Sequence, residues 1–131
     1  MKVVLDTNIV ISGFLTETGV SQSVFLMALK RHEVVPSEFI LDEIKRKLVG
    51  KLEIPESRVE TLLLFLRKRT TVLKPPTNPR LHFKDKNDIP ILSLLEACKP
   101  HYLITGDKPL QELKKFGQTL ILNPRESLEI L

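Results

Sequence analysis

Apolar residues follow two patterns along the chain: short continuous runs, and longer stretches with helical spacing. Continuous runs bounded by polar or turn-forming residues are typical of buried strands. They predict strands at residues 2–5, 33–35, 102–105 and 119–122, with a further candidate at residues 70–73. Three prolines without periodicity at residues 74–79 predict a loop.

Apolar residues three and four positions apart predict the helices. These cover residues 9–15, 21–31, 89–97 and 109–114, with further helices beginning near residues 37, 55 and 124. Ser21 and Ser37 are placed to cap two of them. The helix after Ser37 has a predicted core stripe formed by Ile40, Leu41, Ile44, Leu48 and Leu52.

Strands and helices alternate along the chain. This order predicts a parallel sheet with helices on both faces, a three-layer α/β/α fold. The 131 residues can bury a core of their own, and no internal repeat or linker divides them. We therefore expect residues 1–131 to form a single domain.

Composition narrows the class of protein. The single cysteine, Cys98, excludes an internal disulfide framework and a Cys-rich metal site, and its apolar neighbours predict a buried, inert thiol. No apolar run approaches the roughly 20 residues that a membrane helix needs. Asp6 also falls where a secretory signal would keep its apolar segment. We expect a cytoplasmic protein without a membrane partner.

The formal net charge of +4 is unevenly distributed. Between Arg67 and Lys86, seven basic residues accompany one acid, Asp85. A basic segment of this kind can contact the phosphates of a polyanion. A solvated helix end followed by a proline-rich loop would show the same charges, so the segment alone does not identify a nucleic-acid partner.

Two polar segments directly follow predicted strands. Asp6 begins the sequence Asp-Thr-Asn after the first strand, and Asp107 lies in Thr-Gly-Asp after the strand at residues 102–105. Ligands of parallel α/β sheets bind beyond the carboxyl ends of the strands, where both acids would lie. Helix capping would also explain either acid taken alone.

Two further segments contribute acids. Pro90 must lie in the first turn of its helix, which should therefore begin near Asn87 or Asp88. Capping alone would explain Asp88, and Asp85 would lie in the loop before it. Glu43 lies on the flank of the core stripe after Ser37, where a solvated glutamate is the ordinary finding.

Four separate elements thus supply Asp6, Glu43, Asp88 and Asp107. Gathering several carboxylates is strongly unfavourable unless a cation offsets their repulsion. Oxygen ligands without cysteine or grouped histidine indicate one or two Mg²⁺ or Mn²⁺ ions. The chain has no GxxxxGK[ST], GxGxxG or GxSxG motif, which argues against P-loop, dinucleotide and serine-hydrolase chemistry.

The ordered blocks resemble the PIN-domain family over essentially the whole chain. They are VVLDTN at residues 3–8, the helix with Glu43, DKND at 85–88, YLITGDKPL at 102–110 and LNPRESL at 122–128. The resemblance implies a sandwich around a parallel sheet and an Mg²⁺- or Mn²⁺-dependent nuclease that acts on RNA. Short single-domain members are commonly VapC-like toxins of toxin–antitoxin pairs.

The resemblance also implies roles for individual residues. Metal-binding and catalytic roles fall to Asp6, Glu43, Asp88 and Asp107, with supporting roles for Thr7, Asn8, Thr105 and Asp85. Asp85 matches the leading acid of an Asp-x-x-Asp block, and which of Asp85 and Asp88 is closer to the metal stays open. Pro90 and the intervening Lys-Asn depart from the usual pattern, which affects the expected geometry of Asp88. We expect three lysines to contact RNA, namely Lys84, Lys86 and Lys108.

The preferred hypothesis is an endoribonuclease toxin with a cognate antitoxin protein. A homodimer through the apolar helix at Leu62 to Leu66 is a further possibility, although these leucines could equally form core. The alternatives are a housekeeping PIN nuclease in RNA processing and a catalytically silent PIN module that binds RNA or protein. A metal-dependent phosphatase fits less well, because Asn8 stands where an Asp-x-Asp motif needs its second aspartate.

Overall fold

Five strands and seven α-helices follow one another along residues 1–131 of the computed structural model. The strands are β1 (Lys2–Leu5), β2 (Glu33–Val34), β3 (Tyr102–Ile104), β4 (Lys115–Phe116) and β5 (Thr119–Leu122). The helices are α1 (Thr7–Leu15), α2 (Val20–Arg31), α3 (Glu38–Lys45), α4 (Glu56–Arg69), α5 (Ile89–Cys98), α6 (Lys108–Leu113) and α7 (Pro124–Leu128). A π-helical turn at Arg46–Lys51 extends α3, and a 3₁₀ turn at Lys86–Asp88 leads into α5.

The strands form one sheet in the order β2-β1-β3-β5-β4. All pairs are parallel except β4 with β5, a short antiparallel pair at one edge. Val3, Val4 and Leu5 of β1 are all buried, although successive side chains point to opposite faces of a sheet. Both faces are therefore covered, and the predicted three-layer α/β/α fold is confirmed.

The close approach of α1 and α2 depends on a residue without a side chain. A Cβ atom added at Gly13 would lie 2.7 Å from the Cβ of Phe25, closer than real Cβ atoms approach.

No single helix is long and apolar enough to cross a membrane. Helices α1 and α2 together reach the required length and composition, but a bend of 106° separates them.

The helix after Ser37 follows its prediction over most of its length. The Ser37 hydroxyl accepts a hydrogen bond from the Ile40 N–H at 3.1 Å, as an N-cap should. The core stripe ends earlier than predicted, since Leu48 is buried but Leu52 is 44% exposed. The π-helical turn causes the difference, because its wider winding rotates later residues out of the α-helical phase.

Two other local predictions were wrong. Helix α2 begins at Val20, so Ser21 lies inside it and does not cap it; Gly19 occupies the cap position with φ 112°. Only glycine adopts this backbone conformation readily. Residues 70–73 form no strand, and only Leu73 makes an isolated parallel bridge, to Ser37.

Helix α4 contributes both to the core and to a surface depression. Leu62, Leu63 and Leu66 are buried, whereas Leu64 and Phe65 are exposed. Most of the leucines behind the predicted homodimer are therefore core residues. A groove of about 400 Å³, called here the apolar groove, is lined by Phe14, Phe25, Leu26, Leu29, Arg58, Thr61, Leu62 and Phe65.

Candidate metal centre

Parallel pairing of β1 with β3 brings the first two acids to one edge of the sheet. Leu5 is aligned with Ile104, so Asp6 and Thr105 leave neighbouring strands at the same level. The Asp6 N–H donates to the Ile104 carbonyl at 2.9 Å and continues the ladder by one residue. The backbone therefore delivers Asp6 and, two residues beyond Thr105, Asp107 to the carboxyl edge, where such sheets bind ligands.

The buried hydroxyl of Thr105 joins these two acids. It donates to Asp6 Oδ2 at 2.6 Å and accepts from the Asp107 N–H at 3.0 Å. The Gln111 side-chain amide donates to the Thr105 carbonyl at 2.7 Å, and the Thr105 N–H donates to the Leu122 carbonyl at 3.0 Å. Every hydrogen-bonding group of Thr105 is thus occupied, which fixes the positions of Asp6 and Asp107 relative to each other.

The turn before α5 adds Asp85 and Asp88. Asp85 caps the 3₁₀ turn, because its Oδ1 accepts from the Asn87 N–H at 2.9 Å. Pro90 lies in the first turn of α5, in agreement with the sequence, but the α-helix itself begins only after Asp88. Asp88 makes no side-chain capping bond, nor does Asp107 at the start of α6. Capping therefore accounts for Asp85 and in part for Asp6, but not for Asp88 or Asp107.

Three of the carboxylates meet directly. One oxygen from each of Asp85, Asp88 and Asp107 lies within 4.8 Å of the other two. Asp88 Oδ2 is also buried without a hydrogen-bond partner. A buried carboxylate oxygen without a partner is unfavourable unless something else coordinates it. Oxygen donors of this kind fit a hard divalent cation such as Mg²⁺ or Mn²⁺.

Glu43 approaches the same space from α3. Its side chain is 18% exposed and lies 3.8 Å from the guanidinium of Arg46, one turn later. Asp6 and Glu43 are close enough for their charges to interact. The flank position predicted for Glu43 is therefore confirmed, and the side chain faces the acidic cluster, not open solvent.

The electrostatics of the cluster follow from burial and like charge. Burial, together with the adjoining Asp107 carboxylate, raises the pKa of Asp88 to about 8. Burial also raises the pKa of Asp6, and the charges of Glu43 and Asp107 add to this, while hydrogen bonds from Thr105 and Thr7 oppose it. Both carboxylates are held where the ionised form is disfavoured, a condition that a bound cation would reverse.

These residues line a cleft of about 740 Å³, called here the acidic cleft. It brings together all five predicted acids, which are Asp6, Glu43, Asp85, Asp88 and Asp107. Two basic residues, Arg46 and Lys47, also line it. The excess of negative charge is concentrated here although the chain as a whole is basic.

The predicted supporting residues differ in what they contact. Thr7 supports Asp6 through its backbone N–H, which donates to Asp6 Oδ1 at 2.8 Å, while its buried hydroxyl has no partner. The Asn8 side-chain oxygen accepts from Lys47 Nζ at 3.2 Å, at the rim of the cleft. Thr7 and Asn8 both line the cleft.

The basic residues at the cleft are not the ones expected from the sequence. Lys84, Lys86 and Lys108 are exposed and lie outside the lining, although each is next to a residue that belongs to it. Arg46 and Lys47 were missed. The available signal was their spacing, because residues three and four positions after Glu43 share its side of a helix.

The fold and this cluster define a class: an α/β/α sandwich with a carboxylate-lined cleft at the carboxyl edge of its parallel sheet. The family model of the PIN domain matches residues 2–109, and the chain belongs to the PIN-domain family. No curated protein matches the chain by sequence.

A solved structure supports the same fold. The chain is similar to a chain in the crystal structure of VapBC2 from Rickettsia felis bound to a DNA fragment from their promoter. The TM-score is 0.66 at 16% sequence identity, over 94% of this chain and 98% of the other. At this identity the likeness establishes a common fold.

Proposed function

We propose that residues 1–131 act as a single-domain, divalent-metal-dependent endoribonuclease. The observation that carries the proposal is the convergence of Asp85, Asp88 and Asp107 within 4.8 Å, in a cleft that also holds Asp6 and Glu43. Membership of the PIN-domain family supports nuclease chemistry, and the family resemblance of the sequence blocks favours RNA as the substrate.

In this proposal Asp6, Glu43, Asp88 and Asp107 hold one or two Mg²⁺ or Mn²⁺ ions, and Asp85 completes the cluster. A bound ion lowers the pKa of a coordinated water and neutralises charge on a phosphoryl group. Thr105 keeps Asp6 and Asp107 in register through the two hydrogen bonds of its hydroxyl. Arg46 and Lys47, together with Lys84, Lys86 and Lys108 outside the lining, attract the RNA backbone toward the acids.

The biological role that we propose is that of a toxin held inactive by a cognate antitoxin protein in the cytoplasm. Support comes from the fold shared with a chain of the VapBC2 complex, which was crystallised with promoter DNA. A housekeeping nuclease would have the same acidic cleft. Growth arrest when this protein is expressed, relieved by a protein encoded by the neighbouring gene, would distinguish the toxin from the housekeeping enzyme.

The homodimer stays a prediction, and the molar mass of the protein in solution would check it.

The experiment that tests the enzymatic proposal incubates the purified protein with mixed RNAs, with Mg²⁺, with Mn²⁺ and with chelator, and maps the cut sites. We expect metal-dependent internal cleavage, which Asp107→Asn reduces by on the order of 10³-fold. The matched control is Glu112→Gln, an exposed acid outside the cleft.

Two results would contradict the proposal. Equal metal-dependent cleavage by wild type and Asp107→Asn would contradict the assignment of the acidic cleft as the catalytic site. A wild-type protein that neither cleaves RNA nor gains thermal stability from Mn²⁺ would be the silent PIN module.

A further inference from the structure

Phe39 is a large apolar side chain that the core of α3 does not use. The neighbouring Ile40 and Leu41 are buried, whereas Phe39 is 40% exposed. It lies one helical turn before Glu43, so the two side chains occupy nearly the same side of α3. Among the seven aromatic residues, six Phe and one Tyr, only Phe39 and Phe65 are exposed, and Phe65 lies in the apolar groove.

Phe39 also forms a boundary between two depressions. It lines the acidic cleft and a smaller cleft of about 240 Å³, called here the side cleft. The other residues of the side cleft are Ser37, Glu38, Asp42, Lys74, Pro75, Thr77 and Pro90. Pro90 follows Asp88 by two positions, so the side cleft begins immediately beside the acidic cluster.

The charges of the side cleft indicate what it can accept. Glu38 and Asp42 are its acids, and Lys74 is its one basic residue. Arg67 donates two hydrogen bonds to Glu38, at 2.7 and 2.9 Å, which keeps this carboxylate ionised. This pairing offsets the charge of Glu38, which leaves the exposed Asp42 as the side-cleft carboxylate without a side-chain partner. Asp42 can accept a hydrogen bond from the amino group of a base edge.

We propose that Phe39 is a stacking platform for one nucleobase of single-stranded RNA. The base lies against the Phe39 ring with its edge in the side cleft, and the adjacent phosphate enters the acidic cleft. Aromatic side chains bind unpaired bases in this way because every base offers a flat π-face. Arg46 and Lys47 receive the backbone within the acidic cleft.

This inference rests on the proposed function, because it assigns a base-binding side chain, Phe39, to the same site. In an A-form duplex the bases are already paired and stacked, so their faces are not available to Phe39. The prediction is therefore that Phe39, which belongs neither to the metal ligands nor to the core, contributes to binding only where the RNA is unpaired.

The absence of tryptophan from the chain allows a direct test. Phe39→Trp places a single fluorophore at the stacking position. Leu64→Trp, at a residue of α4 that is 59% exposed and outside both clefts, is the matched control. Each variant is titrated in Mg²⁺ with a short single-stranded RNA, made resistant to cleavage by a phosphorothioate backbone, with the same RNA carrying abasic positions, and with its duplex.

We expect the single-stranded RNA to quench the fluorescence of Phe39→Trp and to leave that of Leu64→Trp unchanged. The abasic and duplex RNAs should quench Phe39→Trp much less. Phe39→Ala should raise KM for single-stranded RNA about tenfold with a smaller change in kcat. Phe39→Tyr should restore KM, and Phe39→Leu, which keeps apolar bulk without an aromatic face, should not.

The outcomes separate this inference from the proposed function. Cleavage with unchanged KM in Phe39→Ala, or fluorescence of Phe39→Trp that does not respond to RNA, would overturn the stacking role and leave the nuclease intact. Quenching of Phe39→Trp, when the wild-type protein cleaves no RNA with either metal, would support stacking and overturn the nuclease.

Discussion

The acidic cleft, of about 740 Å³, and the apolar groove, of about 400 Å³, are two separate depressions to which α1 contributes. The acidic cleft is lined by side chains from widely separated parts of the chain, which hydrogen bonds such as Thr105 to Asp6 hold in place. The apolar groove is bounded by the surfaces of α1, α2 and α4, and most of its lining is apolar.

The difference shows that the acidic cleft depends on exact side-chain positions, whereas the apolar groove depends only on an apolar surface. At the acidic cleft, a shift of one residue in the β1–β3 register would move Asp6 away from Thr105. At the apolar groove, apolar side chains can repack without breaking a specific bond. Substitutions in the two regions should therefore differ in kind, in cleavage at the first and in small changes of stability at the second.

The largest difference in cleavage is expected between substitutions of two threonines, Thr105, which holds two acids of the acidic cleft, and Thr61 in the apolar groove. Thr105→Val keeps the shape of the side chain but removes the hydroxyl that joins Asp6 to Asp107. We expect metal affinity and kcat/KM to fall about 10- to 100-fold, as for other residues that orient metal ligands. Isothermal titration with Mn²⁺ and initial cleavage rates measure these changes.

Two controls accompany this prediction. Thr105→Ser keeps the hydroxyl and should recover most of the activity. Thr61→Val, in the apolar groove, removes a hydroxyl bonded only to the Ser57 carbonyl and should leave cleavage unchanged. Loss of activity in Thr61→Val comparable to that in Thr105→Val would end the distinction between the two regions.

A smaller effect is expected in the pH dependence of stability. The pKa of Asp88 is about 8 in the folded protein and 3.8 for an unperturbed aspartate, so the folded state binds more protons between these values. The free energy of unfolding of the metal-free protein should therefore decrease as pH rises from about 4 to about 8. Mg²⁺ or Mn²⁺ should restore stability most at the upper end of this range.

Thermal melts across this pH range, in chelator and in Mn²⁺, measure the effect. Asp88→Asn should flatten the metal-free pH profile and raise Tm at pH 8, while Glu112→Gln controls for the loss of one exposed charge. A metal-free Tm that rises steadily between pH 4 and pH 8 would contradict the assignment of Asp88.

The smallest effect is expected from Phe65→Ala in the apolar groove. Phe65 is 36% exposed, and the Arg69 guanidinium lies 5.6 Å from the centre of its ring. Its truncation should change the free energy of unfolding by less than about 1 kcal/mol, since a partly exposed surface contact is weak. Urea unfolding measures this, and KM for RNA should stay unchanged, in contrast to Phe39→Ala.

The sequence predicted the parts of the site that depend on strand ends. Asp6 and Asp107 each follow a short apolar run, and the rule that parallel strands share a carboxyl edge brings them together. Helix spacing also placed Glu43 on the correct flank of α3. The apolar runs and the helical spacing are properties of neighbouring residues in the chain, and the folded structure keeps the strands and the helix that they predict. A single sequence is therefore enough to find them.

The parts that were missed depend on tertiary geometry. Asp85 lies in the loop where it was expected, but only the structure shows that the 3₁₀ turn after it brings its carboxylate near those of Asp88 and Asp107. The widening of α3 into a π-helical turn shifted Leu52 out of the core stripe, and no pattern of residue types announces such a turn. The edge strand β4 has two residues, which is too short for any periodic signal.

The hydrogen bond from Thr105 to Asp6 joins residues 99 positions apart, and this separation has a consequence for biosynthesis. The first strand leaves the ribosome long before its neighbour β3 has been translated. Until residue 107 has emerged, a nascent chain has no complete set of carboxylates, so on the proposed assignment it cannot cut the messenger from which it is being made. On the same assignment, products that terminate before residue 107 would also be unable to cut RNA.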